Sequence, residues 1–210
     1  MLIVGAKGFA KEILQIIYLN EDSDNLCFFD DLNINCPDYL FNKYKILKTE
    51  EEVINYFTYT DARFTIGIGN PKLRVKMYEK FKNLGGKFVS TISKNAELGT
   101  FGVRIENGCN ILSGVKISND VEIGEGTMIY YNSIITHDVK VGRFVEISPD
   151  VKLLGRSLIG DFSHIGTGAI IFPDTLIGKH SIVAAGSVVR NNVPDYTLVA
   201  GVPAIQKKKL

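Results

Sequence analysis

The chain has 210 residues, enough for one or two domains, with 45% hydrophobic and 22% charged residues and a formal net charge of +1. So balanced a charge provides no global field for nucleic acid or an anionic membrane, and no run approaches the roughly eighteen apolar residues of a membrane span. The three cysteines, Cys27, Cys36 and Cys109, are odd in number and scattered, which favours a reduced, cytoplasmic protein over a disulfide scaffold. The N-terminus lacks both the basic segment and the long apolar run of a signal peptide.

In chain order, Met1–Val4 reads as a short buried strand running into Gly5-Ala6-Lys7-Gly8 and an amphipathic helix over 9–19, with Ile13, Ile16 and Ile17 at helical spacing. Leu26–Phe29 is a second strand ending in Asp30-Asp31, and Tyr44–Leu47 a third. Thr49 with Glu52 forms a capping-box pattern that predicts a helix. Arg63–Ile68 is a fourth strand; Asn70-Pro71 opens a helix to Asn83, ended by Gly85-Gly86, and Lys87–Ile92 returns as a strand. Alternation of strand and helix predicts a small parallel α/β domain of Rossmann-like type over residues 1–90.

Residues 91–210 follow another rule. From Ile105 to Val189 every sixth residue is aliphatic, fifteen positions without a slip, and four residues after each comes a small or β-branched one, from Cys109 to Val193. A period of six suits neither an α-helix nor an alternating hairpin; it is the mark of a parallel β-helix of hexapeptides, expected to be left-handed, with three strands closing each coil of eighteen residues. Glycine recurs directly after the aliphatic position at Gly124, Gly142, Gly160, Gly166 and Gly178, where a positive φ is expected to ease the turns. The pattern starts near residues 88–98, with one extra residue before Ile105, and the Lys207–Lys209 tail reads as a disordered, solvated end.

Gly5-x-x-Gly8 between a strand and a helix suits a phosphate, although the dinucleotide fingerprint is not met, and a simple tight turn fits equally well. Asp30, Asp31 and Gly69 fall at neighbouring strand ends, where a ribose or base would be held. His137, His164 and His180 differ by 27 and 16 residues, so the eighteen-residue ruler does not stack them and no zinc site is expected; His164 and His180 read as turn residues. His137 precedes Asp138 on a rigid wall, a pairing suited to a general base, with an ordinary surface histidine as the alternative. Gly155, eighteen residues on, offers a bare backbone N–H to an oxyanion.

Gly5-Ala-Lys-Gly-Phe-Ala-Lys-Glu12, Phe29-Asp-Asp31, Ile68-Gly-Asn-Pro-Lys-Leu-Arg74, the hexapeptide run with Thr136-His-Asp138, and Val193-Pro-Asp-Tyr-Thr-Leu-Val-Ala-Gly-Val-Pro-Ala204 together resemble the bacterial sugar O-/N-acyltransferases of the PglD/NeuD type over the whole chain. The resemblance implies an acetyl-CoA-dependent homotrimer, without a metal, that modifies a nucleotide-linked amino sugar in clefts between β-helices. It implies His137 as base and Asp138 as its orienting acid. Gly155 would meet the thioester carbonyl, Thr167 and Ala185 would line the pantetheine groove on the same wall, and Gly201 and Pro203 would approach the adenine. Gly5, Gly8, Asp30, Asp31 and Gly69 match the nucleotide-sugar pocket. Three positions depart from the pattern: Glu146 stands where a second histidine is frequent, Tyr130 replaces an asparagine, and Phe9 replaces a histidine. Glu146 and Tyr130 are expected near the cleft as substrate contacts. Sugar O-acetylation, a nucleotide-dependent sugar oxidoreductase and a non-catalytic sugar-nucleotide-binding trimer are the competing readings.

Overall fold

The computed structural model describes residues 1–32 and 36–210 and divides into two compact units, Met1–Thr91 and Ile92–Leu210. In the first unit, β1 (Leu2–Val4), α1 (Gly8–Leu19), β2 (Cys27–Phe29), β3 (Tyr39–Leu40), β4 (Tyr44–Leu47), α2 (Glu50–Tyr59), β5 (Arg63–Ile66), α3 (Pro71–Asn83) and β6 (Lys87–Phe88) build one six-stranded sheet. Its order is β3-β4-β2-β1-β5-β6, parallel except for the antiparallel β3–β4 pair. β3 is not visible as a periodic segment in the sequence because it is a two-residue edge strand. The Thr49 capping box forms as expected, and Asn70 caps α3 by accepting from the Leu73 N–H at 3.1 Å. One face of the sheet packs under α1 through Ile3, Phe28, Ile13 and Ile17, and the other buries Phe29, Phe57, Phe64 and Phe81.

The second unit is the left-handed β-helix. Two-residue strands stack into three flat walls: one through Asn110–Ile111, Met128–Ile129, Glu146–Ile147, His164–Ile165 and Ile182–Val183; a second through Lys116–Ile117, Ile134–Ile135, Lys152–Leu153, Ile170–Ile171 and Val188–Val189; and a third through Glu122–Ile123, Lys140–Val141, Leu158–Ile159 and Leu176–Ile177. Register between successive coils is eighteen residues, as in Ile117↔Ile135↔Leu153, whereas Leu98 pairs with Ile117, so the first coil holds the extra residue. The periodic aliphatic positions from Ile111 onward are all buried, as are the small residues four places after them. Inward hydroxyls turn to the ladder carbonyls: Thr127 Oγ1 donates to Gly142 O at 2.8 Å and Ser163 Oγ to Gly178 O at 2.7 Å.

The turn glycines behave differently from expectation. The left-handed position is the third residue after each aliphatic one, with φ between 51° and 75° from Gly108 and Gly114 through Asp138, Arg156 and Asp174 to Gly186. Gly124, Gly142, Gly160, Gly166 and Gly178 are absent from this set; they lack a side chain because the next coil lies too close. A Cβ on Gly160 would stand 2.6 Å from the Lys179 amide nitrogen, and one on Gly166 2.6 Å from that of Ala185. Two further corrections concern His164, which lies in a strand, and the basic tail. Ala204–Lys209 pairs antiparallel with Thr197–Gly201 and extends the first wall, where the sequence suggested a disordered end.

Candidate active site

The corner between the second and third walls gathers the residues of greatest chemical interest. Asp138 is in the left-handed slot, φ 60°, which swings its carboxylate back beside its neighbour: His137 Nδ1 lies 2.7 Å from Asp138 Oδ2. An ionised carboxylate only accepts, so the proton of a neutral imidazole sits on Nδ1 and the Nε2 lone pair is left available. The histidine side chain is 57% exposed. Gly155 lies directly beneath the ring, since a Cβ there would stand 2.7 Å from Cε1 and 2.8 Å from Nε2. Turn N–H groups in this slot lie outside the ladder; at Arg143 and Lys179 a carboxylate oxygen accepts from them, at 3.0 and 2.8 Å, but among the described residues nothing accepts from the Gly155 N–H. A free donor and a free imidazole nitrogen therefore lie side by side. His137 borders a groove of about 630 Å³, lined also by Leu98, Phe101, Lys116, Asn119 and Thr136.

Other expected site residues lie elsewhere. Thr167 and Ala185 stack on one another, with Gly186 N–H donating to Thr167 O at 2.8 Å, but at the corner between the first and second walls; the common wall with Gly155 is not observed. The reason is arithmetic: twelve residues from Gly155 is two-thirds of a coil. Gly201 and Pro203 sit at the exposed hairpin closing the chain, with Gly201 N–H donating to Ser187 Oγ at 3.2 Å. Glu146 stands on the first wall beside His164, whose Nε2 is 3.6 Å away and 3.0 Å from Ser148 Oγ, and Tyr130 is held to the same wall through Ile147 O. Within one chain the first wall lies opposite the His137 corner, so Glu146 and Tyr130 do not meet it.

In the first unit, the carboxyl ends of β1, β2 and β5 enclose a pocket of about 320 Å³ that brings together Gly5, Asp30, Asp31 and Gly69 with Lys7 and Phe9. It sits at the switch in strand order beside β1, where open α/β sheets bind ligands. Gly5 has φ +104°, a conformation that favours glycine, and donates to Phe29 O at 2.8 Å. Lys7, the N-cap of α1, gives no side-chain cap, so the positive end of the helix is not closed by its own cap residue. Asp30 is buried and accepts from Leu32 N–H; Asp31 is ion-paired to Lys80 at 3.1 Å. Gly8 begins the helix outside the pocket lining and has open space around it. Gly67, which the sequence places with Gly69 at the same strand end, also lines the pocket, and Ala10 packs into it so closely that a Cβ would lie 2.6 Å from that of the alanine. Among the described residues no cluster of His, Cys, Asp and Glu could hold a metal ion, and no helix is long and apolar enough to cross a membrane.

A parallel β-helix of hexapeptides with an exposed His–Asp pair, preceded by an α/β unit with a switch-point pocket, defines a hexapeptide-repeat acyltransferase. Residues 1–81 match the family model of the PglD N-terminal domain, and residues 102–137 that of the bacterial transferase hexapeptide. The whole chain is similar to perosamine N-acetyltransferase from Caulobacter crescentus, solved with CoA and GDP-perosamine, at 25% identity and a TM-score of 0.91, covering 99% of this chain and 96% of that one. It is similar to the acetyltransferase domain of PglB from Neisseria gonorrhoeae at 25% identity and TM-score 0.89, and to WeeI from Acinetobacter baumannii at 27% and 0.88, each covering 98% of both chains. The two family models and the whole-chain neighbours together bear out the resemblance to the sugar acyltransferases of the PglD/NeuD type.

Proposed function

We propose that the protein transfers the acetyl group of acetyl-CoA to the amine of a nucleotide-linked amino sugar, with His137 as the general base. The observation that carries the reading is the His137–Asp138 pair, which leaves Nε2 unprotonated and exposed next to the free Gly155 N–H. Nε2 takes a proton from the attacking amine as its nitrogen bonds to the thioester carbonyl carbon. The carbonyl oxygen gains negative charge, which the Gly155 N–H is placed to receive, and collapse expels the CoA thiolate. Asp138 offsets the positive charge that develops on the imidazole. The α/β pocket supplies the nucleotide end: the positive end of α1 and Lys7 for phosphate, Asp30 for a ribose hydroxyl or base N–H.

Three copies related by a threefold axis would set the first wall of one chain, with Glu146 and Tyr130, against the His137 corner of the next, completing a cleft that one chain leaves open. Thr167, Ala185, Gly201 and Pro203 would then follow the pantetheine arm toward the adenine. The three free thiols suit a reducing, cytoplasmic setting. A thiol-release assay with acetyl-CoA across a panel of nucleotide amino sugars tests the activity. His137→Ala should lower kcat by at least about a thousandfold while CoA still binds, the scale expected when a general base is lost; near-normal turnover would show that another group removes the proton.

A further inference from the structure

We infer that Asp174 is a positioning residue for the His137 base, holding the Arg156 guanidinium away from Asp138; this rests on the reading of His137 as the base. Asp138, Arg156 and Asp174 occupy the same left-handed slot of three successive coils, at φ 60°, 61° and 60°. Coils stack at about the strand spacing of 4.8 Å, so Arg156 stands midway between two carboxylates, either within reach of its long side chain. The side chain is committed to one of them: Nε lies 2.6 Å from Asp174 Oδ1 and Nη2 2.8 Å from Oδ2. Its backbone is tied to the catalytic corner, with the Arg156 N–H donating to His137 O at 3.1 Å.

The consequence is electrostatic. With the guanidinium on Asp174, the Asp138 carboxylate keeps its full charge and its contact with His137 Nδ1, which favours the imidazolium formed on proton removal. The hydrogen bond between them holds the Arg156 charge and pulls the Asp174 carboxyl below its ordinary range; Asp138 adds a weaker attraction for Arg156, so it lies within electrostatic range. If Asp174 lost its charge, Asp138 would become the nearest carboxylate to the fork. Pairing there would compete with His137 Nδ1 and cancel the charge beside the ring. The other charged groups facing this corner do not replace Asp174: Asp120 lies one coil on the far side of Asp138, and Glu97 and Lys116 in the groove are paired with each other at 3.1 Å. Arg156 and Asp174 are more than half exposed, so their pair adds little to folding stability, and its position in the column is better explained by what it keeps from Asp138.

The test is the pH dependence of kcat/KM for D174N, D174E and the double variant D174N/R156A, with H137A as reference. An opposite charge beside an imidazole raises its pKa, so masking Asp138 should move the acid limb of D174N to lower pH, by about half a unit at a solvent-screened corner, and lower the plateau about three- to tenfold. D174E should retain the wild-type profile, and D174N/R156A should recover both limb and plateau to within about twofold, because the competing cation is gone. A purely structural role predicts the opposite order, with the double variant the more damaged. A D174N profile coincident with wild type, or a loss that R156A does not restore, overturns the inference. If H137A itself retains turnover, the base assignment has failed instead; an inactive H137A with a silent D174N removes only the role given to Asp174.

Discussion

A methyl group at position 155 would meet the imidazole of His137 before anything else, at 2.7 and 2.8 Å from Cε1 and Nε2. Gly155 does not have a positive φ, so alanine is compatible with its backbone, and the cost falls on the ring. To make room the imidazole must swing away from Asp138 and from the Gly155 N–H together. Gly155→Ala should therefore reduce kcat by at least about a hundredfold, the scale of losing one oxyanion donor, with a melting temperature close to wild type; steady-state kinetics beside a thermal melt checks both halves. His137, Asp138 and Gly155 were legible in the sequence because a strict period converts number into position. Arg156 and Asp174 were legible by the same ruler, one and two coils beyond Asp138, but nothing in composition says which of two carboxylates a midway guanidinium takes.

At the scale of the turn, two kinds of glycine that look alike in sequence do different work. Gly168 has φ +68° and open space around it, while Gly160 has an ordinary φ and no space at all. Asparagine tolerates the left-handed region, as Asn132 does at φ 59°, so Gly168→Asn should cost no more than about 1 kcal/mol. Gly160→Asn drives a side chain into the Lys179 backbone, which cannot yield without parting the coils, and should cost about 3 kcal/mol or more. Chemical denaturation of the two variants should separate them clearly; equal losses would contradict the close-approach account. The same distinction explains why the turn glycines were misread: a period identifies where glycine recurs, but conformation and crowding produce the same letter.

Across the whole molecule, the first wall and the His137 corner are separated by the body of the prism, so a cleft using Glu146 and the base needs two copies of the chain. Two individually inactive variants offer a direct measurement. His137→Ala loses the base and Glu146→Arg blocks the facing wall with a bulky cation, each expected to reduce turnover at least about tenfold. In the proposed threefold assembly, random mixing would pair an intact corner with an intact wall at about a quarter of the clefts, so co-refolded protein should regain about that fraction of wild-type activity. Mixtures no more active than their components would place the whole site within one chain.

The six-residue period determined the β-helix, its inward faces and the vertical stacking of His137 on Gly155, because a repeat fixes each side chain's wall and level. Strand–helix alternation and the Thr49 and Asn70 caps determined the α/β unit for similarly local reasons. The same eighteen-residue ruler, properly applied, sets Thr167 and Ala185 at a corner that is not Gly155's, whereas only the tertiary structure decided that the basic tail closes the first wall as a strand and that Arg156 turns toward Asp174. Each of the latter two depends on which of several nearby partners a group meets, and that is settled by packing between coils. The His137–Asp138 pair belongs to both accounts: adjacency is written in the chain, but the left-handed φ at Asp138 sets the carboxylate on Nδ1 and leaves Nε2 open to a substrate.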